Sequence, residues 1–301
     1  MPTFMQRVTF LRRAPGWYVW HLVLGKLGVR RVNTERSGKT FVVPLNTPGG
    51  VQLVRPFERW MGPLLQKLLP LAPGKFVDVG ANVGQTLLWL RSVDAERPWL
   101  GFEPSEYSCQ TIRALIDCND FKNTELANAG LSDQAGRGVL HAGGKTDSSA
   151  TMIKDFSGEL QEQQELSFDV TLLNPAELME QHFAEKVGII KIDVEGMELE
   201  VVRGLKPVFE RDRPLLIFEA IPVPDDGSER ASRMLERQAK LTADVLAMGY
   251  RLAQIHTDAS IKELSAPRND VGLELSNYLA VPDERKGLAP FPQLETVPDP
   301  L

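Results

Sequence analysis

Cysteine is almost missing from this chain: Cys109 and Cys118 are its only two. They lie nine residues apart on what reads as one helix, so their backbones sit roughly 13 Å apart at 1.5 Å per residue. That is too far for a mutual disulfide. Neither cysteine has a metal partner at useful spacing, and a reducing compartment is expected. Long apolar runs are missing too. No segment approaches the ~20 apolar residues that a membrane-spanning helix needs. The run at residues 17–24 is short and has no small-residue cleavage site, so no leader is read and the expected location is cytoplasmic. Nor is there an excess of positive charge. A net charge of −6 and a pI near 5.4 argue against nucleic acid as a bulk electrostatic partner.

What is present belongs to an ordinary globular protein, with 43% hydrophobic and 25% charged residues. A length of 301 residues suits one large α/β domain with an accessory segment. Charge is unevenly spread. The first 31 residues hold Arg7, Arg12, Arg13, Lys26, Arg30 and Arg31 and no acid, giving +6 there and −12 over the other 270. This basic, aromatic-bearing stretch suits peripheral contact with an anionic membrane or a place near an anionic substrate. A helix packed across the main domain, with its arginines in solvent, is the plainer expectation.

Residues 1–70 read as an N-terminal accessory segment, a lid or substrate element. In it, a helical stretch is followed by "TFVVPLNTPGGVQLV". The β-rich runs at 41–43 and 51–54 flank a Pro-Gly-Gly turn and predict a hairpin. A short helix follows, broken by Pro63 and closed by Pro70. Across 71–281 strands and helices alternate: strand 76–79, helix 85–92, the strand in "WLGFEP", helix 105–117, and a third strand in "NTELANAGLSD". "VGIIKIDV" and "RPLLIFEAI" are continuous apolar runs suited to strands buried on both faces. "YRLAQIH" and "NYLAV" predict a closing antiparallel pair. The expected fold is α/β, an open doubly wound sheet with helices on both faces. Residues 282–301 are Pro-rich and read as an irregular tail.

In such a sheet, ligands bind beyond the carboxyl ends of the strands. "KFVDVGANVGQTLLWL" turns from strand to helix through Gly80 and Gly84, where glycine admits a close ligand and positive φ. The pattern lacks one glycine of the dinucleotide fingerprint G-x-G-x-x-G. Asp78, inside the strand, needs a partner if it is buried. Glu103 ends the second strand, a position from which an acid bonds both hydroxyls of a ribose. Asp78, Glu103, Asp193 and Glu195 all fall near strand ends, and the glycine loop holds no compensating cation. A cationic ligand suits this rim better than a pyrophosphate. S-adenosylmethionine, with its ribose, sulfonium and amino acid tail, is the preferred cofactor.

Taken together, "FVDVGANVGQ", "GFEPSEY", "NAGLSDQAG", "DSSATM", "IIKIDVEGMELEVVRG" and "RPLLIFEA" resemble the FkbM family of S-adenosylmethionine-dependent methyltransferases. They occur in family order over residues 75–221, about half the chain. The resemblance implies a Rossmann-like class I methyltransferase fold, a mostly parallel seven-stranded sheet with an antiparallel last strand. It also implies O-methylation of a hydroxyl on a sugar, polysaccharide or natural product. By the same resemblance Asp78, Gly80, Asn82 and Gly84 form the cofactor loop, Glu103 holds the ribose, and Ser132 and Asp133 lie near the adenine. Asp193 and Glu195 then face the methyl-transfer centre, with Asp193 also counted as a cofactor contact. Where relatives carry an acid, "VTLLNPAEL" has Leu173, with Asp169 as its nearest substitute.

Methyl transfer to a hydroxyl requires alignment of the acceptor and removal of its proton. Asp193 or Glu195 is the expected base or orienting group, and Glu219, ending the fifth strand, is a further acid on the same edge. The less favoured alternative gives these three acids a divalent ion such as Mg²⁺. His182 and His256 read as surface or core residues. The acceptor is expected to be a small molecule or a glycan. Its specificity is expected to come from the N-terminal segment, the glycine-rich stretch 135–150 and the "PVPDDGSER" loop. A nicotinamide-dependent oxidoreductase and a non-catalytic binding protein are the competing classes.

Overall fold

The structure is a computed structural model and describes Val23 and residues 27–144, 149–153 and 166–285. The expectations for most of the basic N-terminal stretch, for Asp147 and Ser148, and for the tail beyond Arg285 lie outside the described residues.

A hairpin, β1 (Arg31–Arg36) and β2 (Lys39–Pro44), precedes helix α1 (Met61–Leu68). Then β3 (Lys75–Val79), α2 (Gln85–Val93), β4 (Trp99–Phe102), α3 (Glu106–Asn119) and β5 (Thr124–Ala127) alternate. An excursion follows in β6 (Gly130–Leu131), β7 (Gly136–Ala142) and β8 (Leu166–Leu173). Next come β9 (Val187–Ile192), α4 (Glu198–Gly204), α5 (Lys206–Asp212), β10 (Leu215–Glu219) and α6 (Glu229–Ala247). Last are β11 (Tyr250–Ile255), β12 (Ile261–Leu264) and β13 (Asn277–Pro282).

The main sheet has the order β12-β11-β13-β10-β9-β3-β4-β5. From β10 to β5 all pairs are parallel, and β13 is antiparallel to both β10 and β11. Seven strands with an antiparallel last member are therefore present, and β12 adds an eighth along the outer edge of β11. The parallel strands are apolar on both parities because both faces are covered. Phe76, Ile189 and Ile217 pack with α1, α2 and Ile112 of α3. Val77, Leu100, Ile190 and Leu216 face the other way, onto α4, α5 and α6.

The N-terminal hairpin differs from its prediction. β1 pairs with β2 across Ser37 and Gly38, both at positive φ (48° and 75°), the geometry that matches the twist of paired strands. Residues 50–53 instead form a short 3-10 turn whose Val51 and Leu53 pack with Phe41, Val83 and Leu115. Buried Arg36 holds the two parts together, its Nη2 donating to the Leu53 carbonyl at 2.8 Å. The described part of residues 27–70 thus shares apolar clusters with the sheet domain.

Candidate functional site

The chain builds β3, β4 and β5 outward in one direction and β9 and β10 in the other, so strand order reverses between β3 and β9. A cavity open to solvent lies beyond the carboxyl ends at this point. Gly80 turns the chain off β3 at φ +81°, its amide donating to the Phe102 carbonyl at 2.9 Å. A Cβ here would stand 1.8 Å from the Asp193 carbonyl oxygen. The crossing of the ends of β3 and β9 therefore already demands glycine, before any ligand is considered.

Glu103 is held from two sides. The Asn82 amide donates to its Oε2 and the Ser105 amide to its Oε1, both at 2.8 Å. Burial pushes this carboxyl up to about 7, against the pull of those two amides. Gly80, Asn82, Glu103, Asp193 and Glu195 all line the one cavity. Among the described lining residues there are three acids and no lysine or arginine. The opposite wall is apolar and comes from the excursion sheet, with Leu131, Leu140, Met152 and Phe168. A fixed carboxylate able to accept two hydroxyls, an acidic rim and an apolar wall for a flat base fit S-adenosylmethionine.

Four residues of the expected cofactor set lie elsewhere. Asp78 is fully buried, with its Oδ2 accepting from Trp99 Nε1 at 3.4 Å and its Oδ1 without a hydrogen-bond partner. Burial raises it to about 6, with Lys191 acting in the opposite direction. Gly84 caps α2 at φ +93°, and a Cβ there would touch Leu115 Cδ2 at 3.0 Å. Ser132 is buried, its hydroxyl facing Asp133 Oδ1 at 3.3 Å, and neither of the two lines the cavity. Asp169 is exposed on β8, and its neighbour Phe168 is the residue that reaches the cavity. Leu173 packs on the core. His182 bonds Glu125 and lies edge-on to Phe102, away from the cavity.

Asp193, Glu195 and Glu219 converge. One oxygen of each lies within 4.8 Å of the others, a spacing that also admits a hard divalent ion. The turn carrying the first two is tightly tied. Glu195 is left-handed at φ +51° and Gly196 follows at +109°. Glu198 folds back so that its Oε1 accepts from the Val194 and Gly196 amides, each at 3.2 Å. Thr151 Oγ1 donates to the Glu195 carbonyl at 2.6 Å, and Arg237 Nη2 to the Gly196 carbonyl at 2.9 Å. Glu219 accepts from Ser276 Oγ at 2.6 Å. Burial and then the charge of Asp193 push the Glu219 carboxyl well above the usual range.

Sequence reasoning missed two members of this centre. Lys191 is 3% exposed and donates from Nζ to Asp193 Oδ2 at 2.9 Å. Burial pulls its ammonium down, but Asp193, Asp78 and Glu58 outweigh that and hold it above its ordinary value. The lysine inside "VGIIKIDV" was the available signal, since a cation in a doubly covered strand needs an anion beside it. Glu58 comes from the N-terminal segment at φ +44°, and burial pushes it to about 7 despite Lys191. Nothing in its sequence context marks it.

Such a cavity on a sheet of this order defines a class I methyltransferase site. Residues 78–252, more than half of the chain, match the model of the methyltransferase FkbM domain. The chain belongs to the FkbM methyltransferase family. It is similar to Methyltransferase 1 of Beauveria bassiana (strain ARSEF 2860), with 26% identity over 143 residues, 43% of this chain and 57% of that protein. It is also similar to Methyltransferase sdnD of Sordaria araneosa, at 24% identity over 153 residues, 43% of this chain and 59% of that one. The chain thus spans less than two thirds of the length of the curated relatives it matches. Among solved structures, methyltransferase FkbM from Methylobacillus flagellatus KT aligns with a TM-score of 0.42 at 16% identity, over 68% of this chain and 42% of that one. Likeness at that level adds nothing to the family match. No helix among the described residues is long and apolar enough to cross a membrane.

Proposed function

We propose that the protein is an S-adenosylmethionine-dependent O-methyltransferase acting on a hydroxyl of a small molecule or glycan. The observation that carries this is Glu103, a buried carboxylate with each oxygen fixed by a main-chain amide at 2.8 Å and lining a cavity that no cation rims among the described residues. Bound there, the cofactor supplies a methyl carbon that bonds to the acceptor oxygen as the carbon–sulfur bond breaks with its electron pair going to sulfur. The protein's share is to align the acceptor and take the hydroxyl proton. Asp193 and Glu195 face that position. Lys191 already donates to one oxygen of Asp193, and either Asp193 or Glu195 takes the proton or orients the acceptor hydroxyl. Glu219, held by Ser276, closes the same edge. Mg²⁺ held by the three acids is the alternative that their spacing supports. Two free cysteines accord with a reducing, cytoplasmic setting.

Calorimetric titration of the purified protein with S-adenosylmethionine and, separately, NAD tests the cofactor. Micromolar binding of the former is expected, weakened about 100-fold in Glu103→Ala, the scale of two charge-assisted hydrogen bonds. Binding of NAD in place of S-adenosylmethionine would reject the reading.

A further inference from the structure

A second cavity, also open to solvent, adjoins the transfer centre. The turn 193–198 is the partition. Asp193, Val194, Glu195 and Met197 line the cofactor cavity, whereas Gly196 and Glu198 line the second one. Glu219 lines the second cavity, and its carboxylate lies within 4.8 Å of those of Asp193 and Glu195. The two spaces therefore meet at the three carboxylates, where a methyl acceptor has to present its hydroxyl.

Its walls specify what fits. Met234, Arg237, Gln238 and Leu241 repeat at helical spacing and give it one face of α6. Ile221 and Val223 come from the loop after β10. That loop is anchored rather than loose. The Val223 amide donates to Asn269 Oδ1 at 2.9 Å, and Asn269 Nδ2 donates to Gln238 Oε1 at 3.0 Å. Val223, Met234 and Ala231 form an apolar cluster of their own, with Ile221 packed against it. The charged groups are largely committed elsewhere. Glu198 is turned back onto two amides, and Arg237 is paired with Glu200 and the Gly196 carbonyl. Of the charged lining groups that leaves the Glu219 carboxylate, one oxygen of which accepts from Ser276 Oγ.

We propose that this second cavity is the acceptor site and that it takes a neutral, amphipathic alcohol rather than a sugar. This rests on the methyl-transfer reading above. The acceptor hydroxyl meets the carboxylates, and its carbon skeleton lies on Ile221, Val223, Met234 and Leu241. A pyranose brings a hydroxyl on most of its ring carbons, and each one buried against this wall without a partner counts against binding. An anionic acceptor meets three carboxylates.

Methionines report on both cavities separately, since Met152 and Met197 line the first and Met234 lines the second. The full-length protein labelled with ¹³C at methionine methyls, with signals assigned by single Met→Leu variants, is titrated with S-adenosylhomocysteine, menthol and methyl α-glucoside. S-adenosylhomocysteine is expected to shift Met152 and Met197, which reads out the cofactor site by itself. Menthol is expected to shift Met234, and methyl α-glucoside to leave it unmoved. Val223→Glu should weaken menthol about tenfold by replacing apolar wall with charge, with the shifts from S-adenosylhomocysteine unchanged. Val223→Thr, close in shape, gives the same direction if the glutamate variant fails to fold. Menthol moving only Met152 and Met197, methyl α-glucoside moving Met234 at equal concentration, or no movement of Met234 up to the solubility of menthol would each overturn the assignment.

Discussion

Two buried carboxylates on the same sheet edge are stabilised in opposite ways. Glu103 is held by the amides of Asn82 and Ser105, and it faces the cavity. Asp78 sits below the loop, fully buried, with one oxygen unpartnered and Lys191 as its nearest compensation. A carboxylate held by main chain has fixed geometry and stays available to a ligand. One held by a shared side-chain cation belongs to a charge cluster and depends on every member of it. Burial beside a ligand cavity does not by itself make an acid a ligand contact.

Removing the shared cation should produce the largest effect. Lys191→Met leaves Asp78 and Asp193 without their cation, and urea unfolding should show a loss of roughly 3–5 kcal/mol. Adding Asp78→Asn should recover part of that. Undiminished stability in the single variant would break the distinction between the two carboxylates. Second comes pH. Asp78, Glu103 and Glu198 all hold their protons higher in the folded protein than when unfolded, near 6, 7 and 7. Between about pH 4.5 and 7 the folded state therefore binds more protons, so stability falls as pH rises. Ligand-free protein should become measurably less stable from pH 5 to 8, and a melting temperature that climbs over that range would contradict these directions.

Gly80→Ala combines a positive φ with a contact on the Asp193 carbonyl, which should cost about 2–3 kcal/mol and weaken S-adenosylmethionine binding in calorimetry. Glu103→Ala should lower stability by only about 1–2 kcal/mol, since two amides lose their acceptor, while affinity for the cofactor falls far more. Equal losses in stability and affinity would place Glu103 with the structural acids. Ser276→Ala should be mildest, about 1 kcal/mol, and should raise the Glu219 carboxyl further, visible as an upward shift of its carbonyl infrared titration.

The periodicity of the chain was a good guide to the sheet. Apolar runs such as "VGIIKIDV" are buried on both faces in the structure, and the antiparallel closing pair is β11 with β13. Local turn chemistry misled at the N-terminus, where Ser37 and Gly38 make the hairpin and the Pro-Gly-Gly stretch leads into a 3-10 turn. At the site, strand-end position pointed to Glu103, Asp193 and Glu195, and all three line the one cavity. Spacing could not separate Asp78 from them: in register it lies two residues back from the level of Glu103 and Asp193, inside its strand rather than at its end. Glu58 was invisible for another reason: its place depends on how a segment distant in sequence packs across the sheet. Lys191 was legible and overlooked.

The insertion of β13 between β10 and β11 has a consequence for synthesis. Asn277–Pro282 is the last of the described strands, yet it lies inside the sheet. While the ribosome has released β10 and the β11–β12 hairpin but not β13, both edges that β13 will fill expose unpaired main chain flanked by apolar side chains. A nascent protein halted at that length cannot close its sheet on its own, and it is the length most in need of a chaperone.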